Sequence, residues 1–321
     1  MQVTYHVKRY QEGKSFVQSY TFEYDKDRTI LWGLQYIKDY IDPTLTFVAA
    51  CRSAVCGACS VRVNGQAMLG CESKIIEVTE RFGKDEISIE PIGNFDIIRD
   101  LAVDWEQKVP RLKSVAPWIY PKAEFSKEEG TRQSPEDFKK FVLNTECILC
   151  GCCSSECSKL RANREDFLDP FIFAKADRFN RDSRDANTER HTQGAIDGGL
   201  WKCVHCMMCI SRCPKKLKPE KDISRMRRVA VDMGEINGPV NGKGYRHAVA
   251  FKEDLVKTGR LNEVAMSLKT DGLLDSAKQA GYATRLFLHG KINPLDLVIS
   301  HRPVEGIEEV RRIAKAVEED K

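Results

Sequence analysis

The sequence predicts an α+β chain with a small mixed domain over residues 1–104, a helical domain over residues 105–240 and a helical C-terminal extension over residues 241–321. Three observations carry this expectation. The first hundred or so residues hold short runs that alternate apolar and polar side chains, the period of a strand with one buried face. From Ser134 the apolar residues recur at helical spacing instead, and a four-cysteine run found there is repeated further along. Beyond Asn241 there is no cysteine, and the chain closes on a clear helical stripe.

Within the first domain, Val3-Thr4-Tyr5-His6-Val7 and Phe16-Val17-Gln18-Ser19-Tyr20-Thr21-Phe22 predict two strands of a hairpin that turns at Glu12-Gly13-Lys14. Ile30, Leu31, Leu34, Ile37, Tyr40 and Ile41 fall on one helical face, which Asp42-Pro43 ends. Ser60-Val61-Arg62-Val63 and Ile87-Ser88-Ile89 predict further strands of a sheet packed on that helix. From about Trp105 a linker-like stretch holds Pro110, Pro117, Pro121 and Gly130. Ser134-Pro135-Glu136-Asp137 then starts a helix, with Ser as cap, Pro in the first turn and acids where the macrodipole favours them. In the extension, Ile307, Val310, Ala314 and Val317 form one apolar stripe behind Glu308 and Glu309. Both a packing appendage and a docking arm for a partner fit it.

Composition narrows the function classes. The 321 residues carry a formal net charge of +4, which is modest for a polyanion binder. The basic residues are clustered, with Arg212, Lys215, Lys216, Lys218, Lys221, Arg225, Arg227 and Arg228 crowding the last cysteines rather than forming a groove lined with stacking aromatics. No nucleic-acid partner is therefore expected. No run approaches the roughly 18 apolar residues of a membrane-spanning helix, and no signal-peptide pattern opens the chain, so membrane contact is expected through a partner. Disulfide frameworks belong to short exported chains, so thirteen cysteines here read as thiolate metal ligands.

Their spacing is specific. Cys51-x4-Cys56-x2-Cys59 followed by Cys71 is the plant-type spacing for a 2Fe-2S cluster, with zinc as the structural alternative. Ser53, Ala54, Gly57 and Ala58 leave room for the loop's amides to point at the sulfurs. Cys147, Cys150, Cys153 and Cys157 recur as Cys203, Cys206, Cys209 and Cys213, with one constant offset and a Pro after the last. This is the two-cluster ferredoxin pattern, in which the fourth cysteine of each run serves the other cluster. It assigns Cys147, Cys150, Cys153 and Cys213 to a first 4Fe-4S cluster, and Cys157, Cys203, Cys206 and Cys209 to a second. Exchange of ligands holds the two close, as an electron relay needs. Cys152 is left as a buried free thiol. His205 is expected beside the second cluster or at the surface and not as a ligand, Met207 and Met208 as apolar packing, and Trp118 and Trp201 as core aromatics. No nucleotide or flavin fingerprint, P-loop or nucleophile elbow occurs, and no catalytic residue is predicted on this chain.

The residues that follow resemble the iron-sulfur subunits of succinate dehydrogenases and fumarate reductases: Cys51-Arg52-Ser53-Ala54-Val55-Cys56-Gly57-Ala58-Cys59, Ile97-Ile98-Arg99-Asp100-Leu101, Cys147-Ile148-Leu149-Cys150-Gly151-Cys152-Cys153, Asp182-Ser183-Arg184-Asp185 and Cys213-Pro214-Lys215. The resemblance covers residues 1 to about 235. It implies a β-grasp ferredoxin domain, an α-helical ferredoxin domain, an FAD-containing flavoprotein partner that interconverts succinate and fumarate, and a membrane-anchor subunit with its quinone. Two departures stand out. Ordinary members lack a cysteine at the position of Cys206 and hold a 3Fe-4S cluster there, whereas Cys206 predicts 4Fe-4S, with 3Fe-4S as the alternative for the second cluster. They also continue past the equivalent of Cys157 with Pro-Ser and aromatic residues, where this chain has Ser158-Lys159-Leu160-Arg161-Ala162.

These departures are similar to the non-classical fumarate reductases, the methylmenaquinol and thiol-driven types, whose partner is a cysteine-rich subunit. The tail, from Tyr245-Arg246-His247 to Gly306-Ile307-Glu308-Glu309-Val310-Arg311-Arg312, is similar to the small iron-sulfur subunit of heterodisulfide reductase. The same kind of relay in a heterodisulfide, glycolate or glycerol-3-phosphate oxidoreductase is the alternative. The expected place is peripheral, on the cytoplasmic face of a membrane, or on the periplasmic face if co-exported with a signal-bearing partner.

Overall fold

The computed structural model describes residues 1–128, 130–233, 239–292 and 301–319, in two compact units, Met1–Val229 and Ala230–Lys321. The first unit opens with the expected hairpin, β1 (Gln2–Gln11) and β2 (Lys14–Glu23), with Tyr5 opposite Tyr20. Glu12 and Gly13 both have positive φ, as a two-residue turn matching the strand twist requires. Helix α1 (Ile30–Tyr36) follows, with the Thr29 hydroxyl accepting from the Trp32 amide, and it widens into a π-helical turn over Ile37–Ile41. The widened turn closes with the Asp42 amide donating to the Ile37 carbonyl at 2.7 Å.

Strands β3 (Ser60–Val63) and β4 (Gln66–Leu69) form a second hairpin around Asn64 and Gly65. Helix α2 (Ile75–Phe82) leads to β5 (Glu86–Glu90). The five strands lie in the order β2-β1-β5-β3-β4, with β1 and β5 parallel and the other neighbours antiparallel. Val3, Tyr5 and Val7 of β1 point inward onto Ile30, Leu34 and Ile37, so burial of the alternating face holds helix against sheet. Full burial of each such side chain contributes about 1.5–3 kcal/mol. A small antiparallel pair, β6 (Ile97–Arg99) and β7 (Ala102–Val103), completes the domain.

Next on the same inward face of β1 is Arg9, a buried cation. Its guanidinium meets Asp42 at 2.8 Å and Asp100 at 3.0 Å, and donates to Gln18 and Tyr20. A buried charge is tolerated only when it is paired and hydrogen-bonded. The pairing ties β1 to the end of α1 and to the Ile97–Leu101 segment singled out in the sequence.

The rest of this unit is helical. It comprises α3 (Lys108–Lys113), α4 (Pro135–Lys139), α5 (Val142–Thr145), α6 (Cys152–Ser155), α7 (Ser158–Ala162), α8 (Pro170–Asn180), α9 (Thr188–Asp197) and α10 (Met208–Ser211), and α11 (Pro219–Asp232) carries the chain past Val229. The Ser134 side chain caps α4, accepting from the Asp137 amide at 3.1 Å, but that helix runs only five residues. Helix α8 is buried around most of its circumference by Phe171, Ile172, Phe173, Ala174 and Ala176. The Asp182–Asp185 motif is structural. Asp182 holds the Arg184 guanidinium in two bonds of 2.8 Å, and Asp185 accepts from the Tyr120 amide and pairs with the buried His191.

Trp118 corrects the expectation of a core aromatic. It is 46% exposed, because Ala116 in the left-handed region and the fixed φ of Pro117 turn the chain outward and lay the indole against Tyr120 at the surface. Trp201 is half-buried under the Arg227 guanidinium.

The second unit consists of α12 (Pro239–Thr258), α13 (Glu263–Lys278, kinked at Gly272), α14 (Ala280–Leu288) and α15 (Ile307–Glu319), with α12 packed on α13 and α15. Of the predicted stripe on α15, Ile307, Val310 and Ala314 are partly buried and Val317 is exposed. Arg311 reaches across to the Val256 and Lys257 carbonyls at the end of α12. Last-turn carbonyls lack helical partners, so this basic side chain satisfies them. No helix among the described residues is long and apolar enough to cross a membrane.

Candidate metal centres

The loop after residue 50 is shaped by backbone turns that few L-residues adopt: Arg52, Ala54 and Gly57 all have positive φ. The result is a set of amides aimed at sulfur. Ser53 and Val55 donate to Cys51 Sγ at 3.3 and 3.4 Å, Ala54 to Cys71 Sγ at 3.2 Å, Ala58 to Cys56 Sγ at 3.5 Å and Cys71 to Cys59 Sγ at 3.4 Å. The Ser53 and Val55 amides lower the Cys51 thiol to about 7, while burial pushes Cys59 up to about 12. Four sulfurs with inward amides make a donor set suited to an anionic 2Fe-2S core.

Two further cages lie in the helical region. Cys147, Cys150, Cys153 and Cys213 line one cavity, together with Ile148, Phe171 and Pro214. Cys157, Cys203, Cys206 and Cys209 line a second, with Phe167, Met207 and Ile223. Each cavity therefore draws three cysteines from one run and one from the other. Among the described residues no group of three or more His, Cys, Asp or Glu side chains is placed to hold a single metal ion. The thiols surround voids, and those voids suit polynuclear clusters. Burial raises the Cys153, Cys157, Cys203 and Cys213 thiols and takes Cys209 to about 12, so iron must displace protons on entering.

The first cage also adjoins the ferredoxin loop. A side-chain carbon on Gly57 would fall 2.7 Å from Cys150 Cα, so the two loops meet backbone to backbone. Cys152, fully buried as expected, donates to Ser60 Oγ at 3.7 Å, and Ser60 donates to the Gly57 carbonyl at 2.8 Å. Asn94 clamps the junction from the other side. Its amide group donates to the Ser154, Ser155 and Cys157 carbonyls at 2.7, 3.2 and 3.1 Å. Arg62 pairs with Glu156 at 3.0 Å, and Arg212 donates to Gln66.

His205 lines neither cavity. Its Nδ1 lies 2.7 Å from Glu220 Oε1 and its other ring nitrogen faces Arg227, which also donates to the Leu200 and Cys203 carbonyls. Met207 lines the second cage and is 41% exposed, so the packing expected of it is incomplete; Met208 is half-buried. Of the basic cluster, Arg225 is spent on Asp177 and Asp222, and Lys215 lines the first cage. The spacing reading missed Asn94, Ser60 and Ser158, polar residues that carry no motif.

Residues 4–109 match the family model of a 2Fe-2S iron-sulfur cluster binding domain and residues 144–217 that of a 4Fe-4S dicluster domain. A mixed-sheet ferredoxin followed by a helical two-cluster segment defines an electron-transfer protein. Over 97% of its length the chain is 40% identical to the 8-methylmenaquinol:fumarate reductase iron-sulfur subunit of Wolinella succinogenes, covering 97% of that protein. It is 35% identical to a fumarate reductase iron-sulfur subunit of Mycobacterium tuberculosis, over 70% of this chain and 91% of that one. A chain of the Mycobacterium smegmatis Sdh1 complex in its apo form shares the fold, with a TM-score of 0.63 at 23% identity, covering 72% of this chain and 96% of that one. The chain belongs to the family of iron-sulfur, electron-transfer subunits of fumarate reductases and succinate dehydrogenases.

Proposed function

We propose that Cys51, Cys56, Cys59 and Cys71 ligate the 2Fe-2S cluster, that Cys147, Cys150, Cys153 and Cys213 ligate the first 4Fe-4S cluster, and that Cys157, Cys203, Cys206 and Cys209 ligate the second. The observation that carries this is the mixed lining of the two cavities, each drawing on both cysteine runs. Electrons pass along the three centres in that order or its reverse, and the backbone contact of Gly57 with Cys150 supports a short first step.

At one end the partner is an FAD-containing flavoprotein acting on succinate or fumarate, in keeping with the activities for which the relatives are named. At the other is a cysteine-rich or membrane-anchor subunit that exchanges electrons with a quinol or a thiol, which makes this chain peripheral to the membrane. The C-terminal unit serves as its docking arm. Leu273, Leu274, Tyr282 and Leu288 are 80%, 84%, 65% and 74% exposed, an apolar surface that a partner would cover. Anaerobic co-purification tests the reading. The expected result is a flavoprotein-containing complex with fumarate-linked activity and about ten irons per chain. Isolation of a folded, colourless chain holding zinc alone would defeat it.

A further inference from the structure

Ser158 and Cys206, far apart in sequence, meet at the second cage. Ser158 is the first residue of α7, and its hydroxyl donates to Cys206 Sγ at 3.5 Å. Cys206 is also the exposed thiol of its cage, for Cys157 and Cys209 are buried and Cys203 is intermediate. The iron it holds is therefore the one that solvent and oxidants reach first. Hydrogen bonds to a cluster's sulfurs are among the levers on its potential, because they favour the form with more negative charge.

We propose that Ser158 is the positioning residue for Cys206, its hydroxyl retaining the fourth iron of the second cluster and raising the potential of that centre. This rests on the ligand assignment given under the proposed function. Loss of that iron is an oxidation. One electron passes to an acceptor such as ferricyanide, the iron at Cys206 leaves as Fe2+, and the 4Fe-4S core in its 2+ state becomes a 3Fe-4S core in its 1+ state. Ser158 opposes this by holding the departing iron's sulfur in place, while the other three thiols keep what remains.

Two substitutions test the hydroxyl: Ser158→Ala removes it and Ser158→Thr keeps it. The complex is purified anaerobically, titrated electrochemically with low-temperature EPR, and then treated with ferricyanide. The potential of the second cluster should be lower in Ser158→Ala than in wild type, and its 3Fe-4S signal should grow faster. The 2Fe-2S and first-cluster signals should not move, and Ser158→Thr should behave as wild type. Equal potentials and equal rates in wild type and Ser158→Ala would overturn the inference. A wild-type complex lacking a 4Fe-4S signal at the second centre would strike the ligand assignment instead.

Discussion

Placing a methyl group on Gly57 tests the junction between the ferredoxin loop and the first cage. The added carbon would fall 2.7 Å from Cys150 Cα, 2.8 Å from Cys150 Cβ and 2.9 Å from the Ile148 carbonyl oxygen. Carbon atoms in good contact sit about 3.5–4.0 Å apart, so the loops must separate by about 1 Å. Gly57 also has φ of +75°, where a side chain alone costs about 1–2 kcal/mol. Gly13 supplies the control. It has nearly the same φ, +77°, but nothing lies within 4 Å of its added carbon. Gly13→Ala thus reports backbone strain alone, and Gly57→Ala adds overpacking of about 1–3 kcal/mol. For a unit of this size that difference corresponds to roughly 2–12 °C in the unfolding midpoint. The assay is thermal unfolding of the anaerobic iron-loaded protein at one fixed scan rate. In parallel, the EPR relaxation of the 2Fe-2S signal by the neighbouring cluster should weaken in Gly57→Ala alone. Equal midpoints and unchanged relaxation would refute the close-approach argument.

Asn94→Ala leaves the Ser154, Ser155 and Cys157 carbonyls without their shared donor and should cost about 1–3 kcal/mol, read as a lower unfolding midpoint. Asp222 should make stability depend on pH. Burial and the neighbouring Asp177 charge push it up to about 7, against an unfolded value near 4. A raised carboxyl favours the folded state at low pH and progressively less as pH rises from about 4 through 7, so the midpoint should fall between pH 5 and 8. Asp222→Asn should flatten that limb, and an unchanged slope would remove Asp222 as its cause. Cys206→Ala should lose about one iron per chain and give a 3Fe-4S EPR signal in the oxidised protein, with the other two centres intact.

Much of the fold and the site is legible in the sequence for a physical reason. A strand with one buried face must alternate, as β1 does with Val3, Tyr5 and Val7, and a cluster needs its thiolates at loop-length spacing. Strand β4 escaped notice, although Asn64-Gly65 between two apolar runs is a strong hairpin signal. Trp118 was misjudged because hydrophobicity alone says nothing of where a Pro-containing turn will send the chain. The clamp residues Asn94 and Ser60 were beyond reach, since the carbonyls that Asn94 holds and the Cys152 thiol that Ser60 meets are remote in sequence and no periodicity encodes such pairing. The alternation of β1 carries Arg9 onto the inward face, but its ion-pair partners Asp42 and Asp100 arrive from distant segments that no periodicity encodes.

The mixed walls of the two cavities bear on how the protein is made. A ribosome that has delivered the first cysteine run has completed neither cage, because one still lacks Cys213 and the other lacks Cys203, Cys206 and Cys209. A chain truncated after the first run therefore has the complete four-thiol lining of neither cavity. Both linings are complete only once Cys213 has been made, a few residues after Cys209 closes the second.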